Sequence, residues 1–188
     1  MPISEVTETP NAERDIDVEL LFAAYGRKDK NAFLNYGTAL TIALLFTPLF
    51  DRELITTWVI AILIATMYLS ADVWRFKRAV PTVQHLYAQG SFRRWEKNYL
   101  IQSAITGVAW SVGPSLMISN SSGMGLTICL MVLIAVCSIA MNTLAEQRMA
   151  MQTFLTAALL PPAIAAARIG DPVGILLSVT FLVALAQF

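Results

Sequence analysis

From Ile55 to Trp74 the chain reads ITTWVIAILIATMYLSADVW, twenty residues with a single charged side chain, Asp72, close to the end. A bilayer's hydrocarbon core takes roughly 17–25 apolar residues to cross as a helix. Lipid offers the backbone no hydrogen-bond partners, so a span of this kind has to be helical. Outward from it, five more stretches have the same character: Asn31–Phe50, Tyr99–Ile118, Met124–Thr143, Met149–Ala167 and Pro172–Phe188. Tyr68, Trp74, Tyr99 and Trp58 stand near predicted ends, where amphipathic rings favour the headgroup level.

Composition agrees with that pattern. Of 188 residues, 56% are hydrophobic and 14% charged, with as many acids as bases; an ordinary soluble domain has about 25% charged residues. A soluble enzyme is excluded, and balanced charge gives no sign of a nucleic-acid partner. Two cysteines define no disulfide framework, and one histidine supplies neither a multi-ligand metal site nor a two-histidine haem. No metal or cofactor is expected. The expected fold is all-α: a polytopic bundle of six transmembrane helices, with the lipid bilayer as its main partner.

Basic residues orient the bundle. Arg14, Arg27, Lys28 and Lys30 precede the first span, Arg75, Lys77, Arg78, Arg93, Arg94 and Lys97 join the second to the third, and Arg148 joins the fourth to the fifth. Only Arg52 and Arg168 fall on the other side. Positive charge stays in the cytoplasm, so both termini are expected there. The outer turns, Asp51–Leu54, Ser119–Gly123 and Arg168–Asp171, are too short to build a binding domain.

Residues 1–30 are expected to form a cytoplasmic segment, and 31–188 the membrane domain. Val18, Leu21, Phe22 and Tyr25 have the spacing of a short amphipathic helix, with Thr9-Pro10 as its start and Gly26 as its stop. Its acids, Glu13, Asp17 and Glu19, would be repelled by anionic lipid, so it is expected to rest on protein. Between the second and third spans, Pro81 reads as a helix start and Gly90 as a stop, with Phe92 and Trp95 in a basic, headgroup-contacting loop. Asp72 reads as an interfacial partner for Arg75 or Lys77. Pro161-Pro162 reads as a kink in the fifth span.

The third span carries the one patterned signal. Ser103, Gly107, Ser111 and Ser115 recur every four residues as a small-residue stripe, expected to be a helix-packing seam. Beside it run Gln102, Thr106 and Trp110, continued by Pro114. This row brings an amide, a hydroxyl and an indole into the hydrocarbon region, where polar groups need partners. Neighbouring helices can satisfy them, or they can orient a small lipophilic ligand. His85 reads as a surface residue, and Cys129 and Cys137, about 12 Å apart on one helix, as apolar packing.

Phe92-Arg93-Arg94-Trp95-Glu96-Lys97-Asn98-Tyr99, then Gly107-Val108-Ala109-Trp110, and later Leu159-Leu160-Pro161 with Gly170-Asp171, resemble the multi-helix membrane input domains of bacterial signalling proteins. The likeness spans about residues 70–188. It implies a sensory, anchoring and dimerising domain in the bacterial inner membrane. Catalysis would then reside in a following cytoplasmic module: GGDEF or EAL domains for cyclic di-GMP synthesis or degradation, or a histidine kinase. The sixth span runs to Phe188 without a polar flank, which leads us to expect a longer protein. The competing class is a small transporter or channel.

Overall fold

The computed structural model describes residues 10–88, 91–120, 124–145 and 147–169, together with helical positions 175, 179 and 183. Among the described residues the chain is all-helical, in the order α1 (Pro10–Phe46), α2 (Arg52–Ala79), α3 (Val83–Ala88), α4 (Phe92–Asn120), α5 (Met124–Leu144) and α6 (Arg148–Ile169). Three of these helices are long and apolar enough to cross a membrane, in α2, α5 and α6. The apolar part of α1, Ala32–Phe46, is shorter. The third expected span lies in α4, where Gln102, Ser103, Thr106, Ser111 and Ser115 dilute the apolar run. The sixth lies outside the described residues except for Ile175, Val179 and Val183, which are helical and about half exposed.

The short N-terminal helix is corrected. α1 runs for 37 residues, about 55 Å, straight through Gly26. A mid-helix glycine costs about 1 kcal/mol against alanine, which packing on both sides offsets. Before it, Val18, Leu21 and Tyr25 are buried against α2, α3 and α4; after it, Ala32 and Ala39 are buried. The helix stops instead at Phe46, where Pro48 follows and the amides of Thr47 and Phe50 bond back to the carbonyls of Ala43 and Phe46.

One more expectation changes. The basic segment at Phe92 is the first turn of α4, not a solvated loop, and Trp95 is buried there with its ring edge-on to Phe76. α6 is one helix through Pro161 and Pro162, packed on α4. Pro81 lies just ahead of α3; Gly90 is outside the described residues. Cys129 and Cys137 are free thiols buried in the core, and His85 is exposed.

α4 is the central element, packed against α2, α5 and α6. It forms one apolar core with Trp58 and Ile62 of α2, Leu133 of α5, and Leu155 and Ala158 of α6. A second core gathers Tyr25, Phe76, Trp95 and Tyr99 at the other end of α2 and α4. In the first core Gly113 lies under the Trp58 indole, and a β-carbon there would meet ring carbons at 2.5–2.7 Å. Gly113→Ala is therefore expected to destabilise the chain by about 1–3 kcal/mol, the usual scale of overpacking. Thermal melting of the detergent-extracted variant measures this.

Exposed apolar side chains cover the outside: Phe33 and Leu44 on α1, Ile64 and Met67 on α2, Met131 and Ile134 on α5. So broad an apolar exterior has no place against water and suits a lipid environment.

Candidate functional site: a polar-lined cavity on α4

The two rows on α4 differ in what they touch. In the small-residue stripe, Ser103 Oγ donates to the Tyr99 carbonyl at 2.9 Å, Ser111 Oγ to Val108 at 2.7 Å and Ser115 Oγ to Ser111 at 2.7 Å. Hydroxyls turned onto their own helix need no other partner and leave a low surface. Gly107 makes the closest approach. A β-carbon there would lie 2.6 Å from the Phe154 carbonyl oxygen and 2.9 Å from the Ala157 β-carbon, both on α6.

The neighbouring row faces a cavity of about 180 Å³. Gln102, Thr106 and Trp110 all line it, joined by Ser103 from the stripe. α1 adds Lys28, Leu34, Asn35 and Thr38; α5 adds Val136, Ile139, Ala140, Thr143 and Leu144; Leu69 and Phe154 complete the wall. α1 and α5 are not among the closely packed helix pairs. Leu34 of α1, 63% exposed, and Ile139 of α5, 55% exposed, are exposed apolar members of the lining.

One end of the cavity carries a buried charged network. Lys28 Nζ donates to Gln102 Oε1 at 2.8 Å and stands 3.4 Å from the centre of the Tyr99 ring. Gln102 Nε2 in turn donates to Asp72 Oδ2. The Tyr25 hydroxyl lies 3.1 Å from the same carboxylate oxygen and 3.2 Å from the Trp95 carbonyl. Lys28, Asp72 and Gln102 are each less than a tenth exposed. Burial pushes the Lys28 ammonium below its ordinary pKa, an effect that Asp72 partly offsets. Desolvation, then Asp72, raises the Tyr25 phenol, which remains a hydrogen-bond donor. The expected surface pairing of Asp72 with Arg75 or Lys77 gives way to this arrangement, because Asp72 faces α1 and α4 from inside the bundle.

Farther along, Trp110 Nε1 donates to Asn35 Oδ1 at 2.6 Å, and Asn35 Nδ2 lies 3.4 Å from the Thr66 hydroxyl. Thr106 and Thr38 line the space with no hydrogen-bond partner among the described residues. The polar row thus divides by role. Gln102 ties Lys28 to Asp72, so Gln102→Leu is expected to lower stability as well as alter the site, since a buried polar group left unpaired costs about 1–3 kcal/mol. Thr106→Val, which keeps the shape and removes the hydroxyl, should change the cavity's chemistry while the melting temperature stays within about 2 °C of the parent. Paired melting curves separate the two.

In the sequence Lys28 reads only as one of the orienting basic residues, and Asn35, Thr38 and Thr143 carry no assignment. The signal for Lys28 and Asn35 lies in α1's spacing. Val18, Leu21, Tyr25, Lys28, Ala32, Asn35 and Ala39 alternate at three and four residues, one helical face once Gly26 is allowed inside the helix. Among the described residues no group of His, Cys, Asp and Glu could hold a metal ion. No protein-family model matches the chain, and no curated protein or solved structure does either.

Proposed function

We propose that the chain is a membrane-embedded sensory domain whose α4 cavity receives a lipophilic signal and whose helices relay occupancy to a cytoplasmic output module. The observation that carries the proposal is the cavity itself. Polar groups of α1 and α4 converge in an otherwise apolar helical bundle, in a cavity whose lining includes the exposed apolar side chains Leu34 and Ile139. Concave, mostly apolar sites with a few convergent polar groups are the usual form of small-molecule sites. The Lys28–Gln102–Asp72–Tyr25 network links that cavity to Trp95, at the start of α4, and to the aromatic core around Phe76. A displacement of Lys28 by a ligand therefore has a path to the basic ends of α2 and α4.

In the full reading the bundle has six spans, both termini lie in the cytoplasm of a bacterial inner membrane, and the domain works as a homodimer. The output we assign, from the resemblance at Phe92–Tyr99 and Gly107–Trp110, is cyclic di-GMP synthesis or degradation by a GGDEF or EAL module. Two experiments test these parts. The coding sequence after Phe188 should continue into such a module; a kinase module there would change the output, and a stop codon would remove it. With the native cysteines replaced, impermeant thiol reagents on intact cells should label Ser121→Cys and spare Gln89→Cys. The opposite pattern would invert the topology.

A second reading, a small proton- or ion-coupled transporter, draws on one observation: Lys28 and Asp72 are ionisable groups buried inside the bundle, a recurrent mark of transport pathways. Proton uptake by sealed vesicles separates the readings. The sensory account expects none above empty vesicles.

A further inference from the structure

The groups around the cavity define the head of the molecule it would take. We propose that the cavity holds the head of a single-chain amphiphile, and that this head is an uncharged hydrogen-bond acceptor such as a hydroxyl or ketone, met by Lys28 and Thr106. This rests on the sensory reading above for the claim that the cavity is a ligand site.

Three observations lead to it. The first is the balance of donors. Lys28 has three N–H donors, of which one is used on Gln102 and the ammonium face lies over Tyr99. The Thr106 hydroxyl has no partner among the described residues, and Asn35 uses one amide hydrogen on Thr66. The strong acceptors nearby are already engaged: Gln102 Oε1 by Lys28, Asn35 Oδ1 by Trp110, and Asp72 Oδ2 by Gln102 and Tyr25. A head that accepts uses the free Lys28 N–H groups, whereas one that only donates is left with hydroxyl oxygens such as those of Thr106 and Thr38.

Charge is the second. With Lys28 an ammonium and Asp72 a carboxylate, bridged by one amide, the buried network is formally neutral. An anionic head would leave a net negative charge in a low-dielectric site, facing Asp72 through Gln102. A cationic head would face Lys28 directly. An uncharged acceptor preserves the balance, and an unbalanced buried charge is strongly unfavourable.

Size and access are the third. The space, about 180 Å³, slightly exceeds the roughly 150 Å³ that holds a benzene-sized molecule. It accepts a small head and the first few carbons. A longer tail extends past the exposed, apolar lining residues Leu34 and Ile139 into the surroundings that suit the rest of the apolar exterior.

The test uses the chain in phosphatidylcholine nanodiscs at neutral pH with three probes of equal tail length: decanol, decanoate and decylammonium. Saturable binding is read from intrinsic tryptophan fluorescence, and partition into lipid is subtracted with Thr106→Phe, which fills the cavity. Ala140→Phe fills it from α5 and serves if Thr106→Phe does not fold. Decanol is expected to bind saturably, about tenfold or more tighter than either charged probe. Thr106→Val should weaken decanol several-fold without lowering the melting temperature. Equal or tighter saturable binding of decanoate or decylammonium would overturn the uncharged head and leave the cavity as a ligand site. No saturable binding of any probe to the folded chain would overturn the site, and the sensory reading with it.

Discussion

Gly107→Leu is expected to lower the melting temperature of the detergent-extracted chain sharply, while Gly37→Leu leaves it almost unchanged. Both glycines sit inside helices, so propensity favours leucine at both. Their surroundings differ. A β-carbon at Gly107 would meet the Phe154 carbonyl oxygen at 2.6 Å and the Ala158 nitrogen at 3.2 Å, and backbone atoms of α6 have no rotamer by which to give way. At Gly37 nothing lies within 4 Å. Overpacking typically costs about 1–3 kcal/mol. A contact against backbone belongs at the upper end, because α4 and α6 must move apart along their whole seam. Even Gly107→Ala should be destabilising. Melting curves of the two leucine variants, in one detergent, give the comparison.

Asp72→Leu is expected to have the larger effect, about 3–5 kcal/mol, the scale on which one partner of a buried charge pair is lost. The change strands the Lys28 ammonium in the bundle and removes the acceptor of both Gln102 and Tyr25. The size of the loss depends on Lys28 staying in place. Lys28→Met alone should cost less, since its hydrocarbon stem is replaced and Gln102 keeps Asp72. The double variant Lys28→Met/Asp72→Leu should recover part of the loss relative to the sum of the single changes, because no unbalanced charge remains. A double-mutant cycle on melting free energies reads this coupling directly. Additive effects would mean that Lys28 and Asp72 do not sense each other across Gln102.

Helical character was legible because a run such as Ile55–Trp74 has few alternatives: twenty residues with a single charge, placed in lipid, have to close their backbone bonds as a helix. The two rows on α4 were legible for a similar reason. Residues four apart share a face, and rows one residue apart diverge by about 100°, so the Gly107 and Thr106 rows had to meet different surroundings. What could not be seen was the partner of each row. The tight seam with α6 depends on the backbone path near Phe154, and the cavity depends on the distance between α1 and α5. Neither is a property of α4.

Local signals misled where packing outweighed them. Gly26 has the form of a helix stop, yet Tyr25 on one side and Ala32 on the other are both held in the core, and their burial outweighs one glycine. The continuation of α1 past Gly26 is what places Lys28. Beyond a stop it belongs to a basic, solvated tail; on a continuing helix it falls on the same face as Val18, Leu21 and Tyr25 and enters the bundle. The surroundings of Asp72 are not legible from its sequence neighbours, because its partners come from α1 and α4, 47 and 30 residues away in the chain. Arg75 and Lys77, close in sequence, are on the exposed side of α2.

The central claim, that an amphiphile occupies the polar-lined cavity on α4, is tested most directly by native mass spectrometry of the chain released from its own membranes. The parent and Thr106→Phe are compared at equal folded fraction, with Thr41→Phe on the exposed face of α1 as the control. A bound molecule present on the parent and on Thr41→Phe, and lost from Thr106→Phe, is the predicted result. Equal occupancy of all three, or none on the folded parent, would contradict it.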